Sequence, residues 1–204
     1  MTDLPEPGTD AEKKEKGENV SFSPRLAVRD IAMIGVMVAV IEVCKVALMG
    51  LPNIETTSFW IILFTLFFGW KILFVIPVFI LIEGSFYGVH LWWIMYLYAW
   101  PLLALLTRCF RKQTSVLFWA LLSGAFGLSF GFLCSFPYFF IALAGEGTWA
   151  ARLAGAFRAQ FTWWVAGIPW DILHCVGNFC IMLVLYHPIR IAMKKLPYSI
   201  REGI

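Results

Sequence analysis

Charged residues are scarce in this chain. They make up 14% of its 204 residues, while 60% are hydrophobic and the mean hydropathy is +0.78. Ordinary soluble domains carry about a quarter charged residues, so the composition excludes a water-soluble globular domain and identifies a membrane protein. Histidine is scarcer still, with three in all. Asp171, His174 and Cys175 could approach a ligand set, but no second ligand motif accompanies them, and no metal or cofactor is expected. The five cysteines fall in or beside apolar segments without paired spacing, which excludes a disulfide framework and leaves buried small hydrophobes. No glycine-rich loop followed by Lys-Ser/Thr occurs, so the chain does not hydrolyse ATP by itself in the usual way.

Residues 1–25 escape this pattern. They are rich in charge, proline and glycine and have almost nothing to bury, so a disordered cytoplasmic tail is expected there. A secretory signal places its apolar core directly behind a short basic start. Here the polar stretch comes first, and the first apolar segment is read as an anchor that stays.

Apolar runs occupy residues 28–50, 59–82, 91–107, 116–144 and 161–189. The second contains "FFGWKILF", with Lys71 at its middle. As a single span it would hold that lysine near the bilayer centre at a cost of roughly 2.5–3.5 kcal/mol. A turn at Gly69 moves it to an interface. With that turn, Lys13, Lys14, Lys16, Arg25, Arg29, Lys71, Arg108, Arg111, Lys112, Arg190, Lys194, Lys195 and Arg201 all fall inside, against Arg152 and Arg158 outside. Without it the cations divide evenly. The positive-inside rule therefore predicts an all-α bundle of six transmembrane helices with both termini cytoplasmic. Its domain covers residues 26–196, followed by a short cytoplasmic tail at 197–204. The helix ending at Phe68 is then too short to cross alone and needs ordered loop residues or longer neighbours around it.

This topology places "MGLPNIETTS", "EGSFYGVHLWW" and "GEGTWAARLAGAFRAQFTWW" outside. Asp171, His174 and Asn178 share one helical face at i, i+3, i+7 in the outer half of the last helix. Glu83, Glu42 and Lys45 lie in the same layer, with Glu42 and Lys45 spaced to neutralise each other. Ionisable groups at such depth usually face the bundle interior or a wet cavity. An aromatic rim is expected from Trp60, Tyr87, His90, Trp92, Trp93, Tyr96, Trp100, Trp149, Trp163, Trp164 and Trp170, all toward the outside. An interfacial aromatic belt would account for some of these, but the inner side has few. The polar trio either braces the bundle or touches a ligand. "Ile168-Pro169" is expected to break the last helix and free a carbonyl toward the cavity. On the first helix, "RDIAMIGVMVAVIEV" carries Ala32, Gly35 and Ala39 as a strip of small residues. It serves either internal packing or docking of a separate subunit.

Together the six helices, this strip, "LPNIE", "HLWWIMYLYAWPLLALLTR" and "GIPWDILHCVGNF" resemble the substrate-binding S component of an energy-coupling factor (ECF) vitamin transporter. The likeness covers nearly everything but the tail. It implies a multi-pass protein of the bacterial plasma membrane that is not an enzyme. It also implies that Ala32, Gly35 and Ala39 dock on a membrane-embedded T component driven by two ATPase subunits, and that residues 51–57 close over a vitamin. The usual strip is alanine-rich at four-residue spacing, which only Gly35 and Ala39 keep. Expected binding residues are Asn53, Glu55, Glu83, Tyr87, His90, Trp93, Tyr96, Trp100, Trp163, Trp170, Asp171, His174 and Asn178. The last-helix motif looks most like that of cobalamin-type members. Partners are this machinery, the vitamin and membrane lipid, with no nucleic acid. A proton-coupled carrier using Glu42, Glu83 and Asp171, or a small intramembrane enzyme with an Asp171/His174 acid/base pair, stand as alternatives.

Overall fold

The computed structural model describes residues 26–196, and the two expected tails at 1–25 and 197–204 lie outside the described residues. Seven α-helices follow one another: α1 (Val28–Ala47), α2 (Thr57–Phe68), α3 (Ile72–Tyr87), α4 (Leu91–Cys109), α5 (Val116–Leu128), α6 (Phe130–Leu143) and α7 (Trp149–Lys194). No strand occurs among the described residues. Three stretches, Thr57–Tyr87, Val116–Leu143 and Trp149–Lys194, are long and apolar enough to cross a membrane. The described residues are all-helical, and these three stretches are compatible with a membrane protein.

Within Thr57–Tyr87 the chain reverses. Gly69 ends α2 with φ 59°, a backbone region open to glycine at no steric cost, and a single tight turn over residues 69–71 leads into α3. The ends of the helices fix the directions. Lys71, at the start of α3, lies 3.2 Å from Asp30 at the start of α1, and Lys45 near the end of α1 pairs with Glu83 near the end of α3. α1 and α3 are therefore parallel. Glu55, just before α2, shares a cavity with Glu83, so α2 runs antiparallel to both. Lys71 thus sits at the end of the bundle, as the turn at Gly69 predicts.

The short α2 is the centre of the protein. Ten of its twelve residues are buried, among them Phe59, Ile61, Ile62, Leu63 and Phe67. A helix apolar all round is stable only when surrounded. Helices α1, α3, α4 and α7 supply that surround, so α2 is sheltered by longer neighbours as its length requires.

Two expectations change. The run at 116–144 is two helices, divided at Ser129. The freed amide of Gly131 donates to Asp171 Oδ1 at 2.8 Å, which satisfies in α7 a backbone donor that the break leaves open. Conversely α7 is not broken at Pro169. It runs unbroken for 46 residues, about 70 Å at 1.5 Å per residue. The segment "GEGTWAARLAGAFRAQFTWW", expected outside, is almost entirely its first turns. There α7 pairs with α6: Tyr138 stacks on Trp163 at 3.8 Å, and the Arg152 Nε–H donates to the Leu143 carbonyl at 2.7 Å. A hydrocarbon core is about 30 Å thick, so α7 is more than twice the length of an upright span.

Glycines set how closely α5 and α6 approach α7. A Cβ at Gly127 would lie 2.9 Å from the backbone of His174, one at Gly124 would lie 3.3 Å from the Cys175 carbonyl, and one at Gly131 would collide with the Asp171 carboxylate. Gly124, Gly127 and Gly131 thus form a strip of missing side chains into which α7 settles. The strip at Ala32, Gly35 and Ala39 behaves differently. All three are exposed, and no atom lies within 4 Å of a Cβ built at Gly35.

Candidate functional site

A cavity of about 350 Å³ opens at the end of the bundle where α1 and α3 finish. Its floor is polar. Lys45 Nζ donates to Glu83 Oε2, and Glu83 is wholly buried, with its second oxygen making no hydrogen bond among the described residues. The partner that spacing suggested for Lys45 was Glu42. The parallel packing of α1 on α3 adds Glu83 as the hydrogen-bonded partner, while Glu42 stays within electrostatic reach of both Lys45 and Glu83 on a face it shares with Val43, Val46, Ile82 and Phe86.

Opposite this pair, Glu55 Oε1 lies 3.6 Å from His174 Nε2, and the Thr57 hydroxyl donates to Glu55 Oε2 at 3.3 Å. His174 is 3% exposed and stands edge-on to Phe130, with ring centroids 4.7 Å apart. The walls are rings. Lys45 Nζ lies 5.5 Å from the ring centres of both Tyr87 and Tyr96 and 5.7 Å from that of Phe79, within reach of cation–π attraction from three sides.

The roof is the connection between α1 and α2. It closes on itself through two successive turns, with the Leu51 N–H donating to the Leu48 carbonyl at 2.8 Å and the Ile54 N–H to the Leu51 carbonyl at 3.2 Å. Asn53, at φ 55°, holds the left-handed conformation that asparagine tolerates better than most side chains. Ile54 rests on Gly177 of α7, where a Cβ would lie 3.4 Å away. The loop therefore crosses from α1 to α7 over the cavity.

Of the residues expected at a binding site, the fold brings Asn53, Glu55, Glu83, Tyr87, Tyr96 and His174 together around this cavity. The others are elsewhere. Asp171 holds the Gly131 amide, and Asn178 donates from Nδ2 to Ser58 Oγ at 3.1 Å and to the Ser123 carbonyl at 3.3 Å, tying α7 to α2 and α5. Trp93 donates from Nε1 to the Ile80 carbonyl at 2.8 Å and pins α4 on α3. Trp100 is fully buried behind Tyr96, at 5.2 Å between ring centres. His90 rests against Trp92, Trp163 against Tyr138, and Trp170 is half exposed. Lys45, Trp92 and Phe130 line the cavity without having been named as binding residues. For Lys45 the signal was present as a lysine one turn from the end of an apolar helix, but its partner was not.

The described residues hold no group of three or more metal-ligating side chains. Chemically the cavity offers a buried ion pair, a carboxylate beside an imidazole, and ring faces. That set suits recognition of a small molecule carrying both a flat apolar part and hydrogen-bonding groups. No protein family, no curated protein and no solved structure matches this chain.

Proposed function

We propose that this chain is the substrate-capturing subunit of an ECF-type importer, with six membrane spans, both termini cytoplasmic and the cavity open to the outside. In this reading α1, α2, α3, α4, the α5–α6 rod and α7 are the six spans. The loop at residues 51–57 is the lid. The observation that carries the proposal is the cavity itself, polar-floored, walled by Tyr87, Tyr96 and Phe130, and roofed by one loop that reaches α7.

The two strips of small residues support the coupling half of the reading. One is consumed inside the chain by α7, while Ala32, Gly35 and Ala39 stay exposed. Beside them, α1, α2 and α7 form an apolar groove lined by Met33, Val36, Phe64 and Met193. A helical T component fits such a surface, and two ATPase subunits acting through it supply the energy this chain cannot generate.

The cavity volume bears on the ligand. Small-molecule sites run from about 300 to 1,000 Å³, and this one lies at the low end. A compact ring bearing polar substituents fits it better than the macrocycle of a cobalamin. The test is a thermal-shift screen of the purified full chain in detergent against vitamins and their precursors, confirmed by calorimetry. One tight ligand whose affinity falls in Glu55→Gln and His174→Ala supports the proposal. No ligand across the panel for a demonstrably folded protein overturns it.

A further inference from the structure

The opposite end of the bundle has a second cavity, of about 480 Å³, between the last turns of α2, α4 and α7. Four cationic side chains meet around it: Arg108, Arg111, Lys112 and Arg190. No carboxylate lines it, and none of the four forms an ion pair among the described residues. At the same end of the bundle, Asp30 pairs with Lys71.

Two of the cations are preset. The Arg108 guanidinium lies 4.9 Å from the ring centre of Trp70, and that of Arg190 lies 5.7 Å from the ring centre of Tyr186, which is itself buried. Stacked arginines lose less freedom on binding, and their planar forks match the oxygens of a phosphate. Leu66 and Phe67 give the same cavity an apolar wall that continues into the bundle. Basic pockets between membrane helices, open at the end where cations collect, suit anionic headgroups.

We propose that this cavity is a binding site for a phosphate-bearing anion, held by Arg108 and Arg190 and screened by Arg111 and Lys112. The phosphate comes either from an anionic lipid, whose chain the apolar wall accepts, or from a soluble phosphate.

The experiment titrates the purified full chain in detergent with short-chain phosphatidylglycerol, with phosphatidylcholine of the same chain length, and with inorganic phosphate, reading the shift in unfolding temperature. Saturable stabilisation by phosphatidylglycerol alone assigns a lipid headgroup. Equal stabilisation by inorganic phosphate assigns a soluble anion. In either case Arg108→Gln/Arg190→Gln raises the apparent Kd at least about tenfold, while Lys194→Gln/Lys195→Gln, two exposed cations at the same end but outside the cavity, leaves it unchanged. If the arginine pair fails to fold, Arg111→Gln/Lys112→Gln, both exposed, takes its place with a smaller rise in Kd. Equal binding by wild type and cavity variants, equal loss in the Lys194/Lys195 variant, or no stabilisation by either phosphate overturns the proposal.

Discussion

Lys45 and Glu83 form an ion pair across 38 positions of sequence, joining the ends of two parallel helices at the floor of the cavity. Glu83 has no exposure at all, and Lys45 is the cation paired with it, with the Glu42 carboxyl as a further acidic neighbour. Removing one member of a buried pair leaves the other desolvated and costs about 3–5 kcal/mol, whereas replacing both with neutral groups of similar volume is far better tolerated. Lys45→Met is therefore expected to be strongly destabilised, and Lys45→Met/Glu83→Gln to recover most of the loss. Chemical unfolding of the four proteins in detergent checks this. Additive losses would show that the two side chains do not act as a pair.

The two polar neighbours on α7 separate by role. Asp171→Ala removes the acceptor of the Gly131 amide and leaves a partly buried donor unpaired, at about 1 kcal/mol or more, without touching the cavity wall. His174→Ala removes a wall residue. Once a ligand is found, Asp171→Ala is expected to lower unfolding temperature with affinity nearly kept, and His174→Ala to weaken binding at least about tenfold, or about 1.4 kcal/mol. The reverse pattern in calorimetry would place the ligand against Asp171.

The two glycine positions make a matched pair. Gly127→Ala drives a methyl to 2.9 Å from the His174 backbone, which cannot move aside as a side chain would, and is expected to destabilise by about 1–3 kcal/mol. A Cβ at Gly35 meets no atom within 4 Å on an exposed face, so Gly35→Leu is expected to keep the fold. On the proposed function, Gly35→Leu loses the T component on co-purification while retaining ligand binding. Retention of the T component by this variant would remove the strip from the interface.

Topology is open to direct labelling. Cys109 is exposed at the end of α4, beside the basic cavity, and Asn53 is exposed in the roof of the other. In a chain whose remaining cysteines are replaced, a membrane-impermeant maleimide is expected to reach Asn53→Cys in intact cells and Cys109 only after permeabilisation. Labelling of both from one side would end the six-span reading.

The turn at Gly69 was legible because a lysine at the bilayer centre is costly and glycine is the residue that reverses a helix cheaply. The Asp171, His174 and Asn178 face was legible from its period, and all three are indeed buried. Their division of labour was not, because it depends on what stands opposite each: a broken helix, a loop and two serines. The break at Ser129 left no mark in the hydropathy, since both halves are equally apolar. Continuity through Pro169 was also hidden, because a proline weakens a helix locally while the packing of α6 along the first turns of α7 holds it.

By itself the sequence determined the solvent and the class of the fold, because so few charges and such long apolar runs are stable only as helices in or against lipid. It also set the scatter of cations that marks the two ends. Only the tertiary structure decided which small-residue strip is used internally and which stays free, since spacing describes one helix and not its neighbour. The same holds for the cavity. Lys45 meets Glu83, and Glu55 meets His174, because the reversal at Gly69 sets α1 and α3 side by side and carries the 48–56 loop across to α7.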